Sequence, residues 1–382
     1  MLTAAALLFG GSYSRTKAAP PLSAAQLDRQ GNALAQRARE TGDVTYYTRA
    51  EAAYRRALRL TPRDLPATIG LGALALSRHE FRRGLALGRS ALALSPSTAA
   101  GYGVVGDALV ELGRYREAFA AFDRMVSLKP SVSSYARVSY ALELQGDAGA
   151  AAQALRLAVD AAIGEPDALA WTHTQLGKLY WSHGRIDAAA REYSAALRVR
   201  PGYVHALDAL ALVEAARGHE ARAVALARRA SETMPLRQFV TTLGDLLGSQ
   251  RQYDLVAAID RLQRANGVKV DLEQALFDVD HGVQLRRALG LARAAHRDRP
   301  SIDGDDVLAW ALARNGQCGE ALRYSKRALR LGTLDAPKFF HRGMIERCLG
   351  HRTEAKRWFR RAVDRNPHFS LLWSPVARRY AS

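Results

Sequence analysis

The sequence predicts an all-α fold, an α-solenoid of about ten antiparallel helix pairs closed by a C-terminal capping helix. Three observations predict it. Prolines recur at a fixed spacing, glycines and alanines recur at fixed places between them, and the composition is rich in Ala and Leu and sparing of Pro. Hydrophobic residues make up 48% of the 382 residues, enough for a continuous core in a helix-favouring mix. A chain this long would ordinarily divide into two or three domains. A repeat array escapes that estimate, because each unit packs only on its neighbours.

The punctuation comes first. Pro62, Pro96 and Pro130 are 34 residues apart, as are Pro201 and Pro235. Each ends a helical phrase such as ALRLTP, ALALSP or ALRVRP, where proline stops one helix and sets the turn into the next. Pro300 and Pro367 continue the series with one mark missing between them. Within each period Gly72, Gly106, Gly177 and Gly343 fall in the first helix, where a small residue admits the partner helix closely. Gly113, Gly146, Gly184, Gly218, Gly316 and Gly350 mark the turn between the two helices, as left-handed caps. Ala118, Ala189 and Ala355 then hold a small-residue site in the second helix, followed four residues later by Phe122, Tyr193 and Phe359. Apolar residues at three- and four-residue spacing give both helices packing faces.

The stretch HTQLGKLYWSHGRIDAAAREYSAALRVRP, ending at Pro201, carries Leu176, Gly177, Tyr180, Gly184, Ala189, Tyr193, Ala196 and Pro201. In these positions it resembles a unit of the tetratricopeptide repeat family, and the chain as a whole resembles bacterial exported members of it. Ten units start near residues 31, 65, 99, 132, 170, 204, 237, 269, 302 and 336. The resemblance implies a right-handed superhelix whose first helices line a concave groove. Extra residues near Thr41–Tyr47, the insert Gly164–Asp167 and the proline-free run through Asn266–Gly267 predict irregular joints. The expected organisation is a signal peptide or disordered N-terminus at 1–20, the repeat array at 21–369 and a cap at 370–382.

The formal net charge is +18, from 55 Lys+Arg against 37 Asp+Glu, mostly through Arg. Because the basic residues are spread over nearly every unit, they read as solvated helix faces; nucleic acid is not the expected partner, and a basic nucleic-acid-associated protein stands as the second alternative. The apolar run Leu2–Gly11 is too short to span a membrane and resembles a secretory signal without its basic start. The expectation is an exported, periplasmic or otherwise extracytoplasmic protein, with a cytoplasmic one as the alternative.

The resemblance implies a protein or peptide partner held in the groove by first-helix residues outside the packing core. Tyr140, Trp171, Thr174, Lys178 and Trp181 form one candidate cluster, aromatic anchors beside a cation and a hydroxyl. Asp280, Asp306 and Trp310 form a second. Asp280, His281, Asp306 and His341 are also the candidates for a metal or small ligand, although no His-x-x-x-His pair supports them. Asp303, Asp305 and Asp306 equally suit a helix N-terminus. Cys318 and Cys348, at one end of antiparallel neighbours, could form a disulfide or remain buried thiols. No phosphate-binding loop, nucleophile elbow or zinc spacing occurs, so neither an enzyme nor a cofactor is expected.

Overall fold

The computed structural model describes residues 22–382, so the signal-peptide candidate lies outside the described residues. Those residues form twenty-one helices. The first five pairs are α1 (Ala24–Thr41) with α2 (Thr45–Leu60), α3 (Leu65–Ser77) with α4 (Phe81–Leu94), α5 (Ala99–Glu111) with α6 (Tyr115–Leu128), α7 (Val132–Leu144) with α8 (Ala148–Ala161), and α9 (Pro166–Ser182) with α10 (Ile186–Val199). Next come α11 (Val204–Ala216) with α12 (Glu220–Thr233), α13 (Arg237–Leu247) with α14 (Gln250–Ala265), and α15 (Asp271–Asp280) with α16 (Leu285–Asp298). The last are α17 (Ile302–Arg314) with α18 (Cys318–Ala328), α19 (Ala336–Cys348) with α20 (Arg352–Arg365), and the short α21 (Ser374–Ala381). The ten pairs follow the proline register, and among the described residues there is no strand.

Proline acts through the residue before it. Thr61, Ser95, Lys129, Arg200, Met234, Arg299 and Asn366 each precede a proline, and each is extended, with ψ between 72° and 106°. The proline ring disfavours helical geometry at that position, so the chain leaves the helix abruptly. Where proline is missing, Ala162, Asn266 and Leu329 stay near ψ 0°, at −4°, 15° and 6°. Two of these three ends are joints expected to be irregular. The six turn glycines all lie at positive φ, between 68° and 81°.

The mid-helix glycines admit aromatic rings. A β-carbon at Gly106, Gly177 or Gly343 would fall on the ring of Phe122, Tyr193 or Phe359 respectively. Gly72 differs and abuts Val104. We expect Gly177→Ala to destabilise the fold by about 2 kcal/mol, because Tyr193 is 1% exposed and has nowhere to retreat. Gly290→Ala, in open space on α16, should instead stabilise by roughly 0.5–1 kcal/mol. Urea midpoints of the two variants check this, and a like sign at both sites would defeat the ring-seat argument.

The superhelix winds tightly enough to touch itself. Four successive turns within pairs, from the α3–α4 turn to the α9–α10 turn, each meet the loop eleven helices further on. Lys269 N–H donates to the Arg78 carbonyl at 3.1 Å, and His79 Nδ1 donates back to the Lys269 carbonyl at 2.6 Å. Ile302 N–H donates to the Tyr115 hydroxyl at 2.6 Å, Thr333 Oγ1 to the Leu144 carbonyl, and the Asn366 amide to the Trp181 carbonyl at 2.8 Å. Sequence separations of 185 to 190 residues show one repeating geometry. Arg299 clamps this seam, bonding both Glu111 oxygens and, at 2.8 Å, Glu273. His79 sits at φ 58°, where the next unit has Gly113. Its left-handed backbone is unfavourable for a residue with a β-carbon, and the seam hydrogen bonds offset that cost.

Charge also segregates between the first helices and the second helices of the pairs. The ten first helices carry ten Lys+Arg against seventeen Asp+Glu, and the ten second helices thirty-one against fourteen. The inner wall is therefore acidic and the outer wall strongly basic.

Candidate functional site

The first helices place the candidate residues around the inner space, and the structure divides them. Tyr140 on α7 is 38% exposed and Trp171 on α9 is 36% exposed. They do not share a cavity. Tyr140 borders one of about 250 Å³ with His79, Phe81, Asp107, Glu111 and Arg299 at the seam. Trp171 borders one of about 510 Å³ between the start and middle of the chain, with Arg39, Tyr47, Arg200, Tyr203, His205 and Met234. Thr174 is a correction: it is fully buried and its hydroxyl donates to the Ala170 carbonyl at 2.8 Å. Trp181 is half-buried against the aliphatic core of α8 to α11, and its carbonyl is taken by the seam.

Lys178 remains on the inner wall, and among the described residues it makes no hydrogen bond or ion pair within the usual distances. Burial holds its ammonium below the ordinary lysine value. Asp208, on the next first helix, is fully buried, and Gln238 donates to its Oδ2 at 2.9 Å. Burial pushes its carboxyl up to about 6. Burial, with Lys178 adding to it, pushes the neighbouring His205 down to about 4.

These two groups predict opposite pH effects. Between about pH 6.5 and 4 the unfolded chain protonates His205 while the folded chain does not, so stability is lost as pH falls. Asp208 holds its proton more tightly when folded, so its contribution is lost as pH rises from about 4 through 6. His205→Gln should flatten the acid-side loss by roughly 2 kcal/mol, and Asp208→Asn should raise stability at pH 7 by roughly 1–2 kcal/mol. Denaturation of each variant at pH 4, 5.5 and 7 measures both. A parallel shift at all three pH values would refute the assignment.

The C-terminal cluster is largely internal. Trp310 is a second correction: it is 1% exposed, its indole N–H donates to Asp280 Oδ1 at 2.8 Å, and it stacks on His341 at 4.8 Å. Trp373, beyond the array, donates to the same Asp280 oxygen at 3.0 Å and packs edge-on against Trp310. Asp306 is 6% exposed and its Oδ2 accepts from His341 Nδ1 at 2.9 Å. Burial opposes the charged imidazole, but the Asp306 carboxylate outweighs it and holds His341 above the ordinary value. His281 leaves the set, since it bonds Asp245 at 2.8 Å and packs between Tyr253 and Phe277. Asp280, Asp306 and His341 border one cavity. Their bonds go to indoles and to one another, and among the described residues no three His, Cys, Asp or Glu groups converge to hold a metal ion.

Sequence reasoning missed Lys338 and Asp335, and it read Asp303 and Asp305 only as helix N-terminal residues. Lys338 joins Asp303 at 2.8 Å and Asp335 at 3.1 Å. Asp335 caps α19 through the Lys338 N–H at 2.8 Å, a legible capping signal whose second role is not legible. Asp305 is fully buried and paired with His296, Arg327 and Arg330, while Ser301 caps α17. Cys318 and Cys348 form a disulfide with Cα atoms 6.1 Å apart. No described helix is long and apolar enough to cross a membrane.

Comparison with known proteins places the repeats. Residues 69–133, 104–166 and 174–234 each match the family model of the tetratricopeptide repeat, spanning α3 to α12. No curated protein matches the chain as a relative. Among solved structures, TTC0263, a thermophilic tetratricopeptide protein of Thermus thermophilus, is similar at 23% identity. The match covers 49% of this chain and 99% of that one, with a TM-score of 0.43. YrrB, described as a tetratricopeptide protein with an unusual peptide-binding site, is 22% identical over 49% of this chain and 95% of its own, TM-score 0.33. Human IFIT1, solved as a dimer with m7Gppp-AAAA, is 17% identical over 75% and 68%, TM-score 0.48.

Proposed function

Since this chain is a tetratricopeptide repeat protein, we propose that it is a non-enzymatic interaction scaffold that receives a peptide segment of a protein partner on its inner wall. The observation that carries this reading is Trp171. Large aromatic side chains usually find a place in the core, yet this one stands 36% exposed on a first helix beside a cavity of about 510 Å³. Tyr203, Tyr47 and Met234 supply further apolar surface, and Arg39 and Arg200 supply donors for peptide carbonyls or carboxylates. The cavity lies where the α1–α2 turn meets the α12–α13 loop, with Gly42 against Leu236 and Met234, and the partner is taken to enter there.

A photo-crosslinking residue at position 171 tests the proposal, with position 157 on the outer face of α8 as control. Adducts with one protein from 171 and none from 157 are expected, as is loss of capture in Trp171→Ala. Equal yields at both positions would sink the reading. Export is part of the proposal, since a disulfide persists in an oxidising compartment. Fractionation of the native cell, with thiol labelling of each fraction, checks it.

The basic outer wall favours a second reading, an anionic partner on the second helices. That reading requires retention on heparin at physiological salt and a steep loss of binding as salt rises.

A further inference from the structure

The inner side of the last three units encloses a cavity of about 290 Å³ that the scaffold reading leaves without an occupant. Four carboxylates border it: Asp280, Asp303, Asp306 and Asp335. Two basic groups also border it, Lys338 and His341, and both are already engaged. Lys338 is divided between Asp303 and Asp335, and His341 is bonded to Asp306. Asp280 is satisfied by two neutral indoles and gains no charge partner from them. With His341 protonated and all four carboxylates ionised, the lining carries two more negative charges than positive, although burial raises the Asp280 carboxyl. A further cation, Arg314, lies over the rings of Trp310 and Trp373 at 5.2 and 5.3 Å and is not part of the lining.

A second observation, independent of the count of charges, points to a ligand. Asp306 is more than nine-tenths buried, it borders the cavity, and its Oδ1 has no hydrogen-bond partner among the described residues. A buried carboxylate oxygen left unpaired costs more than a typical hydrogen bond contributes, so this site lacks a donor. Phe369 and Trp373 supply apolar wall and aromatic surface, which suit an alkyl chain ending in a cation.

We propose that this cavity binds an alkyl chain ending in a primary ammonium or guanidinium, as presented by a Lys or Arg side chain of the partner. The proposal takes only the source of that side chain from the scaffold reading. Small molecules test the cavity itself, so partner capture through Trp171 and binding here can fail separately.

The full chain is titrated calorimetrically with Nα-acetyl-lysine amide, Nα-acetyl-arginine amide, cadaverine and the neutral norleucine counterpart. Saturable binding of a charged probe is expected, with norleucine at least tenfold weaker. Asp306→Asn, which keeps an acceptor for His341, should weaken the charged probes about tenfold. Leu276→Lys, on the cavity wall, supplies an internal ammonium and should abolish binding even if Asp306→Asn does not fold. Cadaverine binding tenfold tighter than the lysine amide would overturn the side-chain source in favour of a free amine. Equal binding of the norleucine probe, unchanged binding in Asp306→Asn, or displacement of the lysine amide by equimolar calcium would each overturn the cavity assignment.

Discussion

Arg299→Ala should lower the unfolding free energy by about 2–3 kcal/mol at pH 7 and expand the molecule. The guanidinium bridges Glu111 and Glu273 from opposite sides of the seam, and it lies over the Phe81 ring at 5.5 Å. Removing one member of a buried ionic cluster leaves the others uncompensated, and that loss exceeds the net worth of the pairs themselves. The side chains are 16%, 21% and 35% exposed, so solvent screens part of the effect and the estimate sits below the range for a fully buried pair. Burial already raises the Glu111 carboxyl against the pull of Arg299. Without the arginine it rises further, so the variant's deficit should be smallest in acid, where Glu111 is neutral, and grow as pH rises. Glu111→Gln in the same chain should recover part of the loss. Denaturant titration of the four-member cycle gives the coupling, and small-angle scattering reports the expansion. An unchanged radius with an unchanged midpoint would show that the seam does not hold the turns together.

Almost all of the local architecture was legible in the sequence, and almost none of the seam was. Proline marks, turn glycines and mid-helix glycines act on backbone or neighbours within one unit, so their spacing alone located ten pairs. The seam arises from small rotations added over eleven helices, and no single residue encodes it. Tyr115, Thr333 and Asn366 look like ordinary turn or loop residues until their partners 185 to 189 positions away are known. His79 was the one available sign, a bulky residue where the repeat calls for glycine. The same limit explains the site. The period correctly put Trp310 and Thr174 on first helices, but it could not show that Trp373 returns to Asp280 or that Thr174 bonds its own helix. Tyr140 and Trp171 stand on the first helices of neighbouring units, α7 and α9, yet they border different cavities.

Reducing the disulfide should weaken the last two units by about 2–3 kcal/mol while leaving the first six nearly unchanged. Cys318 opens α18 and Cys348 closes α19, so the bridge ties the second helix of one unit to the first helix of the next across a sequence separation of 30 residues. Closing a loop of that length restricts the unfolded chain by roughly 3–4 kcal/mol in the chain-entropy view, which serves as a ceiling. In a solenoid the terminal units open before the middle, because each rests on a neighbour at one end only. The bridge therefore acts on the last pair and α21, which could otherwise peel away. Three of the five tryptophans, Trp310, Trp358 and Trp373, report on that end, and Trp171 and Trp181 report on the middle. Fluorescence of Trp171→Phe/Trp181→Phe should show an early transition on reduction, and Cys318→Ala/Cys348→Ala should reproduce it without reductant. The cavity makes the consequence functional. Asp303 and Asp306 stand on α17, the partner of α18, and Lys338 and His341 stand on α19, so the bridge holds its two acidic and basic walls in register. Reduction should weaken lysine-amide binding at temperatures where the circular dichroism is still native. If affinity and the C-terminal transition are both indifferent to reduction, the bridge has no part in shaping that end of the array.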